Sequence, residues 1–223
     1  MMNLGSSEVE VLNPSDIEGV VDSQKSLRIK SRKTKKLEVR KMAIKGVLAA
    51  ISIMLSMTPL GFIPIGPINL TIMHIPVIIG AVLEWPLVGI IVGLIFGFTS
   101  LLRAITIPTI TNFALINPLV SILPRVLIGI VAYYVYKLTT KLTKNALASG
   151  WITGVIGSLV NTVGVLGMTY ILYGARYAEA LGKSASAAKT LILTLIATNG
   201  VPEAIVGGFV VSAICVVFNK RKR

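Results

Sequence analysis

Six helix-length apolar runs follow one another from residue 42 to the end of this chain, and nearly all the lysine and arginine is kept to one side of them. The runs are Met42–Met57, Leu70–Leu83, Leu87–Leu102, Leu119–Tyr136, Leu147–Tyr173 and roughly Leu191–Phe218. A hydrocarbon core of roughly 30 Å takes about 20 apolar residues per helix, fewer where polar caps or local thinning help. Peptide groups find no water in lipid, so runs of this length must be helical. The pattern predicts an all-α integral membrane protein, a compact bundle of six transmembrane helices.

Charge placement orients the bundle. Of the 22 basic residues, ten lie between Lys25 and Lys45. Lys137, Lys141 and Lys144 separate the fourth and fifth runs, and Lys220–Arg223 close the chain. With six crossings these clusters share one side, which the positive-inside rule makes cytoplasmic, both termini included. The opposite loops carry Arg103, Arg176, Lys183 and Lys189, partly offset by Glu179. A net charge of +13 would point to nucleic acid in a soluble chain. With 54% hydrophobic residues and this placement it points to lipid headgroups instead, in a multi-pass membrane protein.

The length of 223 residues leaves room for one membrane domain, 40–223, and a tail, 1–39. The tail turns from acidic (Glu8, Glu10, Asp16, Glu18, Asp22) to basic and holds few large apolar residues. That composition predicts a mostly disordered segment whose basic end lies on anionic headgroups. No cleavable signal peptide is expected, since the first apolar run follows about forty polar residues. Cys215 is alone and forms no internal disulfide.

The first run carries Ala43, Gly46 and Ala50, small residues on one face where another helix can approach closely, inside this chain or on a partner. The first outer loop, Thr58–Asn69, is rich in proline and glycine and cannot be a regular helix. His74 and Pro76 follow in a short second helix. Gly89, Gly93 and Gly97 form a close-packing stripe on the third run. The second outer loop, Arg103–Pro118, contains Asn112 and Asn117 and reads as ordered. The last run is interrupted by Asn199-Gly200-Val201-Pro202-Glu203, a polar and kink-prone stretch.

Charged groups at membrane depth need partners or a water-filled cavity. Two lie clearly inside the runs, Arg125 and Glu203. Arg125 is eight residues past Asn117, roughly 12 Å below the outer end of its helix. Glu203 has a comparable depth. Two readings follow: an ion pair tying the fourth and sixth helices, or a solute cavity open to the outside. Asn161 and Asn199 would share such a cavity, with Arg103, Asn112, Asn117 and Thr169 nearer its mouth. His74 is a hydrogen-bonded structural residue or a ligand contact.

Enzymatic chemistry finds no support. No carboxylate pair, no nucleophile with a histidine partner and no zinc-ligand set is present, and no metal or cofactor is called for. Gly182-Lys183-Ser184 resembles the end of a phosphate-binding loop, but the glycine required five positions earlier is Tyr177. A secondary transporter would show matched halves with broken helices in corresponding places, and these halves do not match. A solute-binding membrane subunit powered by a partner fits better.

From about Arg40 to its end, the chain resembles the substrate-binding subunits (S components) of energy-coupling factor (ECF) vitamin transporters. The resemblance rests on the small-residue first helix and on Ile68–Ala81 (INLTIMHIPVIIGA), Asn117–Gly129 (NPLVSILPRVLIG) and Asn199–Gly208 (NGVPEAIVGG). These segments look most like the pantothenate-type branch. The family's first-helix pattern is commonly Ala-x-x-x-Ala, here Gly46-x-x-x-Ala50. The resemblance implies a binder without enzymatic activity that docks through its first helix, at Ala43, Gly46 and Ala50, on a transmembrane coupling subunit with two cytosolic ATPases. ATP hydrolysis there would topple the S component and turn its pocket inward. It also implies a pocket between the outer halves of the last three helices, with the first outer loop as its lid. Mapped onto this chain, the substrate-binding set is Arg125, Asn161, Asn199, Glu203, Arg103, Asn117, Asn69 and His74. An arginine, Arg103 or Arg125, would bind the pantothenate carboxylate. The competing expectations are another vitamin of the pyridoxine or pyrimidine type, a stand-alone ion-coupled permease, and a membrane scaffold without a ligand.

Overall fold

In the computed structural model the described residues are 14–58, 61–65, 68–107 and 109–220. The chain divides into two compact units, Met1–Ala43 and Ile44–Arg223. The first helix, α1 (Pro14–Met57), supplies nearly all of the described part of the first unit. The sequence reading expects a mostly disordered tail to residue 39, but the chain is helical from Pro14 onward. Between Val20 and Lys45 it contains neither glycine nor proline and many lysines, arginines and leucines, all good helix formers. Charge on every side leaves no apolar face, and residues 22–39 are all exposed. The acidic positions Glu8 and Glu10 lie outside the described residues.

In the second unit α1 turns Ile44, Leu48, Ser52 and Leu55 inward, with Leu48 and Ser52 buried. This spacing is one face of a helix. The first outer loop then departs from expectation. Instead of an irregular segment running into a helix at Leu70, it forms an antiparallel hairpin of β1 (Phe62–Ile65) and β2 (Ile68–Thr71). The fold is therefore helical with one hairpin rather than all-α. The helix that follows, α2 (Ile75–Leu83), has only nine residues, about 14 Å of rise. The second apolar run does not span a membrane as a helix by itself. Pro76, in the first turn of α2, has no N–H to contribute to a longer helix upstream.

The remaining helices are α3 (Pro86–Thr106), the single turn α4 (Pro118–Ser121), α5 (Leu123–Thr143), α6 (Ala146–Ala180), α7 (Ala188–Leu195) and α8 (Val201–Lys220). A π turn, Ile196–Gly200, joins α7 to α8, and a short 3-10 helix, Asn112–Ile116, precedes α4. Pro86 and Pro118 open their helices at a position whose N–H would be unpaired anyway. Asn145 caps α6 by accepting from the Leu147 amide at 2.9 Å. Among the described residues, four helical stretches are long and apolar enough to cross a membrane: Pro86–Thr106, Pro118–Thr143, Ala146–Ala180 and Ala185–Asn219.

The glycine stripe of α3 packs as expected, directly on α5. A Cβ at Gly89 would stand 2.9 Å from the Gly129 Cα, and one at Gly97 would stand 2.8 Å from the Ile122 Cα. Between them, Gly93 faces the backbone carbonyl of Arg125, whose carbon would lie 3.0 Å from an added methyl. Backbone cannot give way as a side chain can. Gly93→Ala is expected to cost about 1–3 kcal/mol by overpacking. This is read as a lower thermal unfolding midpoint of the detergent-purified chain, and an unchanged midpoint would show that α3 and α5 can part freely.

The bundle's apolar core gathers Val77, Ile78, Val92, Ile128 and Val211, from α2, α3, α5 and α8. The polar residues of α5, α6 and α8 that line a cavity lie on other turns of the same helices.

Candidate functional site

A cavity of about 530 Å³ opens among α3, α5, α6 and α8, beside the end of the hairpin. Its walls follow from helical periodicity. On α3, Phe96, Ser100, Arg103 and Ala104 lie at i, i+4, i+7 and i+8 and border it. From α6 come Asn161 and Thr162, and one turn further Val165 and Leu166. Asn199 in the π turn and Glu203 in the first turn of α8 stand four apart and both border it. π turns inside helices are frequent at functional sites. The second outer loop closes one side with Thr109, Thr111, Asn112 and Leu115.

Arg125 projects into this space from α5, only 6% exposed. Its orientation has a local cause. Pro124 has no N–H, so the Val120 carbonyl four residues earlier loses its helical donor. The Arg125 guanidinium supplies one, with Nη1 donating to Val120 O at 2.8 Å. The same group lies over the Phe96 ring, 5.3 Å from its centroid. Arg125 Nε is buried without a hydrogen-bond partner, and so is Asn161 Oδ1. Both residues line the cavity, and buried polar groups left unpaired there call for an explanation that a polar ligand would supply.

Glu203 is 4% exposed, and its carboxylate is occupied. Oε1 accepts from the Thr71 backbone N–H at 2.9 Å and from the Thr71 hydroxyl, and Oε2 accepts from the Thr162 hydroxyl at 2.8 Å. Of the two readings, the ion pair between Arg125 and Glu203 is not formed among the described residues. The arginine gives one N–H to a carbonyl that proline leaves open, and the glutamate accepts from threonines on two other elements.

Five of the sequence-expected site residues therefore meet at the cavity: Arg103, Arg125, Asn161, Asn199 and Glu203. Two do not. Asn117 caps α4, accepting from the Leu119 amide at 2.9 Å, and its Nδ2 donates to the Tyr173 hydroxyl at 3.1 Å. His74 is fully buried behind the wall, with Nε2 2.8 Å from Ser158 Oγ. The Ser158 hydroxyl donates to the Gly154 carbonyl at 2.8 Å, so the histidine Nε2–H is the donor to Ser158. The Asn69 side chain lies outside the described residues. Thr169 is buried but does not border the cavity.

Reasoning from the sequence missed Thr71, Phe96, Ser100 and Thr162. A threonine in an apolar helix ordinarily bonds its own backbone, as Thr162 also does to the Ser158 carbonyl at 3.3 Å. Its place next to Asn161 was the available signal.

The family model described as the substrate-specific component of ECF transporters matches residues 40–215. The chain belongs to that family. This ECF substrate-specific component is a multi-pass membrane protein, as its long apolar helices require. It is similar to the pantothenic acid transporter PanT of Lactococcus lactis subsp. cremoris, 27% identical over 204 residues, covering 84% of this chain and 98% of that protein. It is also similar to the pantothenate transporter PanT of Leuconostoc mesenteroides subsp. mesenteroides, 27% identical over 163 residues, covering 70% and 79% respectively. The match begins at residue 40, so most of the exposed basic part of α1 precedes the family region of this S component.

Proposed function

We propose that this S component captures pantothenate from outside the cell and delivers it through an ATP-driven ECF complex. The observation that carries the reading is that Arg125 and Asn161 both line the cavity and each keeps a buried side-chain atom, Nε and Oδ1, without a hydrogen-bond partner. Pantothenate brings a carboxylate, an amide and two hydroxyls. The Nε edge of an arginine is a bidentate carboxylate site, and an asparagine amide suits the amide and hydroxyls. The volume lies within the roughly 300–1,000 Å³ usual for small-molecule sites. Among the described residues Phe96 is the one aromatic ring on the wall, and Arg125 lies over it, so a ring-stacked ligand is poorly served. The names of the two relatives support the same solute.

In this reading the chain crosses the membrane six times with both ends in the cytoplasm. The second half of α1 and the α2 segment with its hairpin complete the two crossings beyond the four long apolar stretches. The partners are a transmembrane coupling subunit and two cytosolic ATPases, where the hydrolysis takes place. The docking face is the outward side of α1. Gly46 and Ala50 are exposed, and a Cβ added at Gly46 would meet nothing within 4 Å. Ala43 is exposed at the end of the first unit.

Calorimetric titration of the purified full chain with pantothenate and a panel of other vitamins tests the substrate. A tight pantothenate isotherm with weak heats for the others is the expected result. Tight binding of a different vitamin would replace pantothenate and keep the transporter reading.

A further inference from the structure

Thr71 ends strand β2, paired with Phe62 at the open end of the hairpin. There the hairpin meets a single carboxylate, 132 positions away, that takes both donors Thr71 has, its N–H and its hydroxyl. The other oxygen of that carboxylate is held by Thr162 on α6. Glu203 thus joins three elements, the hairpin, α6 and α8, at one point on the cavity wall. An isolated two-stranded hairpin is marginally stable. Hydrogen bonds to a buried carboxylate are the stronger, charge-assisted kind. With two donors on Oε1 and one on Oε2, little of the carboxylate is left for a solute.

We infer that Glu203 is a positioning residue, a latch that fastens the β1–β2 hairpin at the cavity wall and sets how slowly a bound solute leaves. The latch rests on the cavity being the solute site, and it assigns Glu203 a role other than ligand contact. Thr71 is the hairpin side of the contact and Thr162 the α6 side.

Dissociation of radiolabelled pantothenate from the full chain in lipid nanodiscs tests this. Thr71→Val removes the hydroxyl at nearly constant volume and is expected to raise koff roughly tenfold, with kon nearly unchanged. Thr71→Ser keeps the hydroxyl and should match the wild type. Glu203→Ala should raise koff further and make Thr71→Val silent in the double variant, because both act on one contact. Glu203→Gln retains an acceptor for Thr71 and should fall closer to the wild type than Glu203→Ala. Additive losses, or an unchanged koff in Thr71→Val alongside weakened binding in Glu203→Gln, would overturn the latch and make Glu203 a ligand contact.

Hydrogen exchange on the ligand-free chain separates the latch from the choice of solute. Amides of residues 68–71 should exchange faster in Thr71→Val than in wild type or Thr71→Ser. Equal exchange in all three overturns the latch even where pantothenate binds. Faster exchange in a chain that binds no pantothenate supports the latch and removes only the substrate.

Discussion

Arg125→Ala should lose pantothenate affinity by roughly 30-fold to several thousand-fold, the effect of removing one partner from a buried, hydrogen-bonded charge pair. Three features concentrate the loss at this residue. The guanidinium is buried in a residue that lines the cavity, its Nη1 is tied to the Val120 carbonyl, and its Nε has no hydrogen-bond partner. A ligand carboxylate there meets a donor already aimed, so little ordering is needed on binding. Arg125→Lys should recover only part of the affinity. A lysine brings the charge but not the planar fork, and it cannot serve Val120 and the solute in the same geometry. Calorimetry on both variants is the check, with the thermal midpoint confirming that each remains folded. Full affinity in Arg125→Ala together with its loss in Arg103→Ala would move the carboxylate to the outer arginine.

The second large effect separates binding from transport. Gly46→Leu should leave pantothenate affinity within about twofold of wild type, since surface substitutions away from such features stay within about 0.5 kcal/mol. Uptake in cells expressing the complete transporter should fall to background. Gly46 faces away from the bundle, with open space where a side chain would grow, while Ile44, Leu48, Ser52 and Leu55 make the inward contacts. A leucine there meets no atom of its own chain and meets the backbone of any helix docked against the stripe. Normal uptake would place the docking face elsewhere. Lost binding would mean that α1 supports the cavity.

Much of this was legible before any coordinates. The long runs followed from hydropathy alone, and the two charges buried inside them, Arg125 and Glu203, do border the cavity. Their pairing was not legible. A charge count sees one positive and one negative group at similar depth, but it does not see that Pro124 frees a carbonyl for the first and that Thr71 and Thr162 reach the second. The hairpin was hidden for a related reason. Phe62–Ile65 and Ile68–Thr71 flank Gly66-Pro67, a turn signal, yet Pro64 inside the first strand argues against a strand. The pairing is supported from α8, far along the chain. Asn117 and His74 lie off the cavity wall, and their partners, a helix start and Ser158, are ordinary structural ones. In α1 the disorder criterion and helix propensity pointed opposite ways, and propensity prevailed from Pro14 onward.

With Arg125 as the proposed carboxylate site, its bond to the Val120 carbonyl gives Pro124 a place in solute recognition although its ring is no part of the cavity wall. A residue that lacks a donor decides where the residue richest in donors will aim. Any other amino acid at 124 would return an amide to that carbonyl and set it in competition with the guanidinium. Affinity would then drift through a backbone position that a map of ligand distances leaves blank. Selection for tight capture of the vitamin should press as hard on the proline as on the arginine beside it.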